Sequence, residues 1–197
     1  DEPLPRAWMG KWYGVRAAQG WGSNPIDDAR QALGHVERAL SNDPSNSLAW
    51  AIKGLIKSYI NRDMRSARHS YDSALAANQN ESLAWLYSAT LNAWQDDGDE
   101  AVAAARMAQR LSPLDPLKYY YDSLSATAFL VAGSYDVSID LALQSLRQNR
   151  SHASTHRTLA IAQVLANRLS DARSTAQELL RMDPGFTVGA FSQRYPG

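Results

Sequence analysis

Apolar and small side chains recur along the chain with the spacing of helix faces, and short polar loops separate these segments. Three of the loops contain proline, at Pro44, at Pro113 with Pro116, and at Pro184. The pattern predicts five pairs of helices. The first helices of the pairs are expected near residues 5–19, 47–60, 82–95, 118–132 and 153–167, and the second helices near residues 26–41, 64–77, 99–111, 136–148 and 170–182.

The loops repeat with a nearly constant period. Two equal steps along the sequence lead from Pro116 to Arg150 and from Arg150 to Pro184. A fixed period of about 34 residues is typical of a helical solenoid, in which each helix pair packs on the next pair. Small residues that allow close helix packing follow the same period, at positions Ala32, Ala67, Ala101, Ser138 and Ala172.

The tetrapeptide Ser-Leu-Ala-Trp occurs twice, at residues 47–50 and 82–85. The second copy begins one residue later than the usual step would place it, which predicts an extra residue in the Asn-Arg-Asp-Met turn at 61–64. We expect Trp50 and Trp85 to pack where their helices meet the neighbouring pair.

The spacing of Trp85, Ala89, Ala101, Ala108 and Pro113 resembles the tetratricopeptide repeat, with its early Trp, its small residues and its closing Pro. The resemblance implies an all-α, right-handed α-solenoid of about five antiparallel helix pairs. We interpret residues 1–197 as one such domain and as a fragment of a longer protein. It would comprise an atypical first pair at 5–41, repeats near 47–77, 82–111, 118–148 and 153–182, and a partial helix at 185–195.

A narrower resemblance rests on the Ser-Pro-Leu-Asp-Pro segment at 112–116, the Gly133-Ser134-Tyr135 turn and the Asp183-Pro184 pair. These features are similar to the C-terminal repeats of bacterial class III adenylate/guanylate cyclases and of winged-helix transcriptional regulators. Asn149-Arg150 departs from that pattern, which has Asn-Pro. The resemblance implies a regulatory module beside an N-terminal output domain outside this chain. The sequence does not identify the compartment, and a cytoplasmic location is slightly favoured over a periplasmic one.

The composition of the chain argues against several classes of function. Lys plus Arg equals Asp plus Glu at 20 each, there is no Cys, and no apolar run approaches the length of a membrane span. We therefore expect no membrane insertion, no direct nucleic-acid binding by these residues, and no cofactor. His152 and His156 share a helix face but lack the Glu of a zinc-protease motif, so we expect neither a metal site nor a catalytic site. The acidic run at 95–100 is interpreted as the start of a helix.

The first helices of such repeats line a concave groove. That groove is apolar and aromatic here and lacks the cations of a carboxylate clamp. We expect it to bind a protein or peptide partner, or the chain's own N-terminal output domain; the alternatives are a small-ligand sensor and a homodimer that covers an exposed apolar end. Equally, tight curvature would bury the groove aromatics against neighbouring helices, or a further C-terminal helix would cover them. The predicted partner-binding residues are Tyr59, Tyr87, Trp94, Tyr120, Thr127 and Arg157.

Overall fold

The computed structural model describes residues 2–194, which contain eleven α-helices and no β-strand. The helices follow one another in consecutive pairs, so the predicted all-α repeat fold is confirmed. None of the described helices combines the length and the apolar character that crossing a bilayer requires. Their bounds are α1 Pro3–Gln19, α2 Pro25–Asn42, α3 Ser47–Tyr59, α4 Met64–Ala77, α5 Ser82–Trp94, α6 Gly98–Leu111, α7 Lys118–Val131, α8 Tyr135–Gln148, α9 Ala153–Leu165, α10 Leu169–Met182 and α11 Val188–Arg194.

The described residues form two compact units, 2–91 and 92–194, and the boundary between them falls inside α5. In the first unit, α1 packs on α2 and α3, and α3 packs on α4. In the second unit, α6 packs on α7, α7 packs on both α8 and α9, and α9 packs on α10. The single domain over residues 1–197 stays a prediction, and residues 1 and 195–197 lie outside the described part. Of the predicted partial helix at 185–195, α11 covers Val188–Arg194; residues 185–187 precede the helix, and residue 195 lies outside the described part.

Helices α2, α3, α4 and α6 begin after residues whose side chains accept backbone hydrogen bonds. Asn24 accepts from the N–H groups of Ile26 and Asp27, at 3.1 and 3.3 Å. Asp97 accepts from the N–H of Glu100 at 3.4 Å, so the acidic run at 95–100 starts a helix as predicted. These caps satisfy donors that a helix start leaves without an intrahelical partner.

The turns inside the later pairs reverse the chain through one left-handed residue. Asp96, Gly133 and Asn167 have φ values of 60°, 72° and 60°, and each lies in a three-residue turn between two helices. In the second pair the equivalent residue is Arg62, with φ 56°, and the turn spans four residues, 60–63. The extra residue predicted from the spacing of the two tetrapeptides is therefore located in this turn.

The repeated small residues form the packing centre of each pair. Ala32, Ala67, Ala101 and Ser138 have no exposed surface, and the Ser138 hydroxyl donates to the carbonyl of Ala126 at 2.8 Å. A side chain larger than these would push the two helices of a pair apart.

Trp50 and Trp85, the tryptophans of the two tetrapeptides, form hydrogen bonds with the loops between helix pairs. The indole N–H of Trp50 donates to the carbonyl of Pro44, and that of Trp85 donates to the carbonyl of Gln79, both at 2.9 Å. Each indole therefore ties the start of a first helix to the loop that precedes it, consistent with the predicted position at the junction with the neighbouring pair.

Candidate functional site

In the first unit, the groove-facing side of α3 is covered by the first helix of the chain. A Cβ at Gly14 of α1 would lie 3.1 Å from the Ile52 side chain, and Ile52 and Leu55 have no exposed surface. The predicted contact residue Tyr59 is half-buried. Close approach of α1, which Gly14 permits, therefore fills much of this face.

Tyr87, a predicted binding residue on α5, belongs to the interior of the first unit. It is 1% exposed, and its ring lies 6.3 Å from the ring of Tyr71, centroid to centroid. A partner could not reach this ring without a rearrangement of the helices. The role of Tyr87 in recognition stays a prediction, and its observed contacts are those of a core residue.

Tyr120, on α7 of the second unit, is also buried, at 4% exposure. Its ring stands edge-on to the imidazole of His152, with the centroids 6.3 Å apart. Trp94, at the end of α5, is half-buried. Within the second unit, the predicted aromatic surface is therefore accessible at Trp94 and closed at Tyr120.

Beneath this part of α7 lies a chain of buried hydroxyl groups that joins three helices. Thr155 of α9 donates to Ser123 of α7 at 2.9 Å and lies 3.0 Å from the hydroxyl of Ser145 of α8. Ser145 in turn donates to the carbonyl of Tyr119 at 2.7 Å. Because buried hydroxyl groups are costly unless they are hydrogen-bonded, this network favours one relative placement of the three helices.

His152 completes the buried network. Its Nδ1 lies 2.7 Å from the Thr155 hydroxyl. Burial, assisted by Coulombic repulsion from Arg157 and His156, lowers the pKa of His152 from 6.5 to about 4. The imidazole is therefore neutral at physiological pH.

The two histidines that share a helix-like spacing make separate contacts within the fold. The Nε2 of His156 lies 2.9 Å from the carbonyl of Arg150, whereas His152 contacts Thr155. Among residues 2–194 there is no group of three or more His, Asp or Glu side chains placed to hold a metal ion.

Thr127 and Arg157, the remaining predicted binding residues, lie on the neighbouring helices α7 and α9. The hydroxyl of Thr127 is 3.2 Å from that of Thr158, which links the two helices at this surface. Ile161, one helical turn after Arg157 on α9, is 48% exposed. We refer to the surface formed by Thr127, Arg157, Thr158 and Ile161 as the α7–α9 face.

Arg157 is held in place from two sides. Its guanidinium donates to the Ser154 hydroxyl at 2.7 Å. It also lies over the rings of Phe191 and Phe186, at 4.9 and 5.9 Å from their centroids. Such cation–π contacts restrict the guanidinium and cover one of its sides. Neither phenylalanine is among the predicted binding residues, although both follow the last complete helix pair in the sequence.

The sequence model of the tetratricopeptide repeat family matches residues 61–116 and 124–185, more than half of the chain. The chain belongs to the tetratricopeptide repeat family. Tetratricopeptide repeats are generally non-catalytic scaffolds for protein–protein interaction. No curated protein sequence matches the chain.

Several solved structures share the fold of this tetratricopeptide repeat protein. PilW, a widely conserved type IV pilus biogenesis factor, is 21% identical with a TM-score of 0.73, over 94% of this chain and 79% of its own. Pseudomonas aeruginosa PilF is 18% identical with a TM-score of 0.68, over 93% and 80%. YrrB, described as a tetratricopeptide repeat protein with an unusual peptide-binding site, is 14% identical with a TM-score of 0.60, over 86% and 85%. At these identities the similarity establishes the fold.

Proposed function

We propose that this chain is a recognition module whose α7–α9 face binds an extended protein segment that carries an acidic side chain among apolar ones. The observation that supports the proposal is the setting of Arg157, a half-buried guanidinium between hydroxyl groups and an exposed isoleucine. A carboxylate that meets a partly desolvated, oriented guanidinium forms a stronger hydrogen bond than it would with a mobile surface cation.

The neighbouring side chains fit the rest of such a segment. The half-buried Thr127 offers a hydroxyl group to a partner's backbone, and Ile161 offers apolar surface. Thr158 is 8% exposed and supports Thr127 through the 3.2 Å contact of their hydroxyl groups. Peptide recognition is also named for one structural neighbour, YrrB. The burial of Tyr87 and Tyr120 leads us to place recognition on this face rather than in an open aromatic site for a small ligand.

A random peptide library displayed on phage, selected on the purified chain, tests this proposal. Selected peptides should share an Asp or Glu flanked by apolar residues. Arg157→Gln should weaken their binding by at least roughly tenfold, the size expected for the loss of a charge-assisted hydrogen bond. Arg150→Gln, at an exposed arginine in the loop before α9, is the matched control and should bind as the wild type does. Peptides without an acidic residue, or equal binding by Arg157→Gln, would overturn the proposal.

We further propose that this module regulates a bacterial signalling or transcription-regulatory protein, through its own output domain or a separate partner. The support is the resemblance of the segment at 112–116 and the turn at 133–135 to the repeats of class III cyclases and winged-helix regulators. The complete reading frame of the gene tests this context. A reading frame that encodes neither a cyclase nor a winged-helix domain would contradict regulation of the chain's own output domain, while leaving the peptide-binding proposal intact.

A further inference from the structure

Within each unit, a first helix covers the helix pair that precedes it. In the first unit, Ile56 of α3 packs in one cluster with Ala29 and Ala32 of α2. In the second unit, Leu159 and Ala162 of α9 pack in one cluster with the pair formed by α7 and α8. The residues of that pair in the cluster are Ala126, Ile139 and Ala142.

The last complete pair, α9 and α10, carries the receiving half of this contact. Residues found one repeat period after those of the α7–α8 surface line an open apolar cavity of about 460 Å³. Val164 is 51% exposed in this cavity. Leu130, one repeat period earlier, packs against the cluster that contains Leu159 and Ala162 of α9. The residues that line the cavity include Ala160, Val164, Leu169, Ala172, Arg173 and Ala176.

The short helix α11 does not cover this surface as α9 covers the preceding pair. Gly189 of α11 lies one repeat period after Thr155, which has no exposed surface. Gly189 itself is exposed, and a Cβ added to it would have no atom within 4 Å. The receiving surface is thus open at the described residues.

The first helix, α1, carries the covering half of the contact. Gly10 of α1 meets Val36 of α2 in the same way that Gly54 of α3 meets Tyr71 of α4. This packing aligns Gly10 with Gly54, and the same alignment of α1 with α3 places Trp12 at the position of Ile56. Ile56 has no exposed surface, whereas Trp12 is 55% exposed.

The same alignment extends to the second unit. Through the repeat offsets, Trp12 corresponds to Ala162 and Met9 corresponds to Leu159, the two residues with which α9 covers its preceding pair. Met9, like Trp12, is an exposed large apolar side chain. Within residues 2–194, the first helix therefore bears a covering face with nothing packed on it, and the α9–α10 pair bears a receiving face that is open.

We propose that copies of this chain associate head to tail, with Met9 and Trp12 of one copy packed on the α9–α10 surface of the next copy. The contact repeats between copies the arrangement that α3 and α9 make within a copy. A large aromatic side chain that fills an apolar cavity is a common anchor of protein interfaces. Because the two faces differ, the interface is heterologous, and a copy bound through one face can still bind another copy through the other face.

Sedimentation velocity of the 197-residue chain over a wide range of concentrations tests this proposal. The wild type should form species larger than a dimer as concentration rises. Trp12→Glu should block the covering face of α1, and Val164→Glu should block the receiving α9–α10 surface. Each variant alone should therefore remain a monomer. An equimolar mixture of the two should form dimers and nothing larger, because each variant keeps one intact face. Both positions are exposed, and circular dichroism and thermal melts should confirm that the variants are folded.

Trp21→Glu is the matched control, since Trp21 is an equally exposed tryptophan, at 54%, that lies outside both faces. It should associate as the wild type does. A wild type that is monomeric at every concentration would overturn the proposal. So would a Val164→Glu variant that still dimerises, which would indicate a symmetric contact between first helices, or a mixture that stays monomeric. Ile161 of the α7–α9 face also lines this cavity, so peptide binding at Arg157 is measured on the monomeric Trp12→Glu variant, in which that surface stays uncovered.

Discussion

Burial of His152 links the stability of the second unit to pH. The imidazole is 5% exposed, its Nδ1 lies 2.7 Å from the Thr155 hydroxyl, and the ring of Tyr119 stands edge-on at 5.3 Å. Removal from water, and then repulsion from Arg157 and His156, lowers the pKa of His152 to about 4. The folded chain therefore favours the neutral imidazole.

The sign of the pH dependence follows from comparison with the unfolded chain, where this histidine titrates near 6.5. The unfolded state takes up the proton first, so the contribution of His152 to stability is complete above pH 6.5 and is lost as the pH falls through about 4. At about 1.4 kcal/mol for each pH unit between the two pKa values, the loss amounts to about 3 kcal/mol.

The comparison of the wild type with His152→Asn isolates this contribution, because asparagine keeps a polar group near Thr155 and does not titrate. Urea unfolding followed by tryptophan fluorescence gives the free energy of unfolding of both proteins between neutral pH and pH 4. The wild type should lose about 3 kcal/mol more than the variant over this range. Taking the difference removes the contribution of His35, whose pKa is also lowered by burial and by nearby arginines.

Parallel loss of stability in the two proteins would refute this reasoning, and so would an NMR titration that placed the pKa of His152 near 6.5. His69→Asn removes an exposed imidazole from α4 and is the matched control. If it reproduced the effect of His152→Asn, the pH dependence would not arise from the buried network.

Two further predictions concern packing and charge in the first unit, and thermal unfolding measures both. Gly54→Ala places a Cβ against the Tyr71 ring and should destabilise the fold by about 1–3 kcal/mol. A Cβ at Gly34 would have no atom within 4 Å, so Gly34→Ala should stabilise the fold by about 0.5–1 kcal/mol. Equal effects of the two substitutions would contradict the packing argument. Asp28→Asn breaks a 3.0 Å ion pair with Arg16 and should cost about 2 kcal/mol, less than a fully buried pair because the arginine is 35% exposed. A cost below about 0.5 kcal/mol would show that solvent screens this pair.

The helices are predictable from the sequence because their signals are local. Asn24 and Asp97 mark helix starts through their own side chains, and the observed bounds lie close to the predicted ones. The small residues at the repeated positions are buried as the period implies. The position of the extra residue in the 60–63 turn also follows from spacing alone, since one additional residue must lengthen one connection.

The accessibility of the groove is not predictable in the same way. An aromatic residue at a groove position, such as Tyr87 or Tyr120, has the same sequence signature whether it faces solvent or the core. Its burial depends on how closely neighbouring helices approach, and residues far away in the chain determine that distance. Gly14 and Ile52, for example, belong to the first and second helix pairs. Their contact limits the distance between α1 and α3.

The hydrogen-bond network and the contacts of Arg157 are likewise non-local. Ser123 and Thr155 are separated by 32 residues, and each alone reads as a tolerated small residue at a packed position. Phe191 lies one repeat period after Arg157. It therefore occupies in α11 the position that Arg157 occupies in α9. The period predicts that the two are neighbours, but only the structure shows the ring over the guanidinium.

Arg157 connects the proposed recognition face to the buried histidine, and this connection gives a last prediction. Its positive charge contributes to the lowered pKa of His152. A carboxylate bound to Arg157 would offset that charge, so an acidic peptide should raise the pKa of His152, and Arg157→Gln should raise it without a peptide. By linkage, protonation of His152 should strengthen peptide binding by the same factor as the peptide favours protonation. NMR titration of His152 with and without a selected acidic peptide measures the shift, with Arg150→Gln as the control. A pKa that stays unchanged when a peptide binds would place the carboxylate away from Arg157.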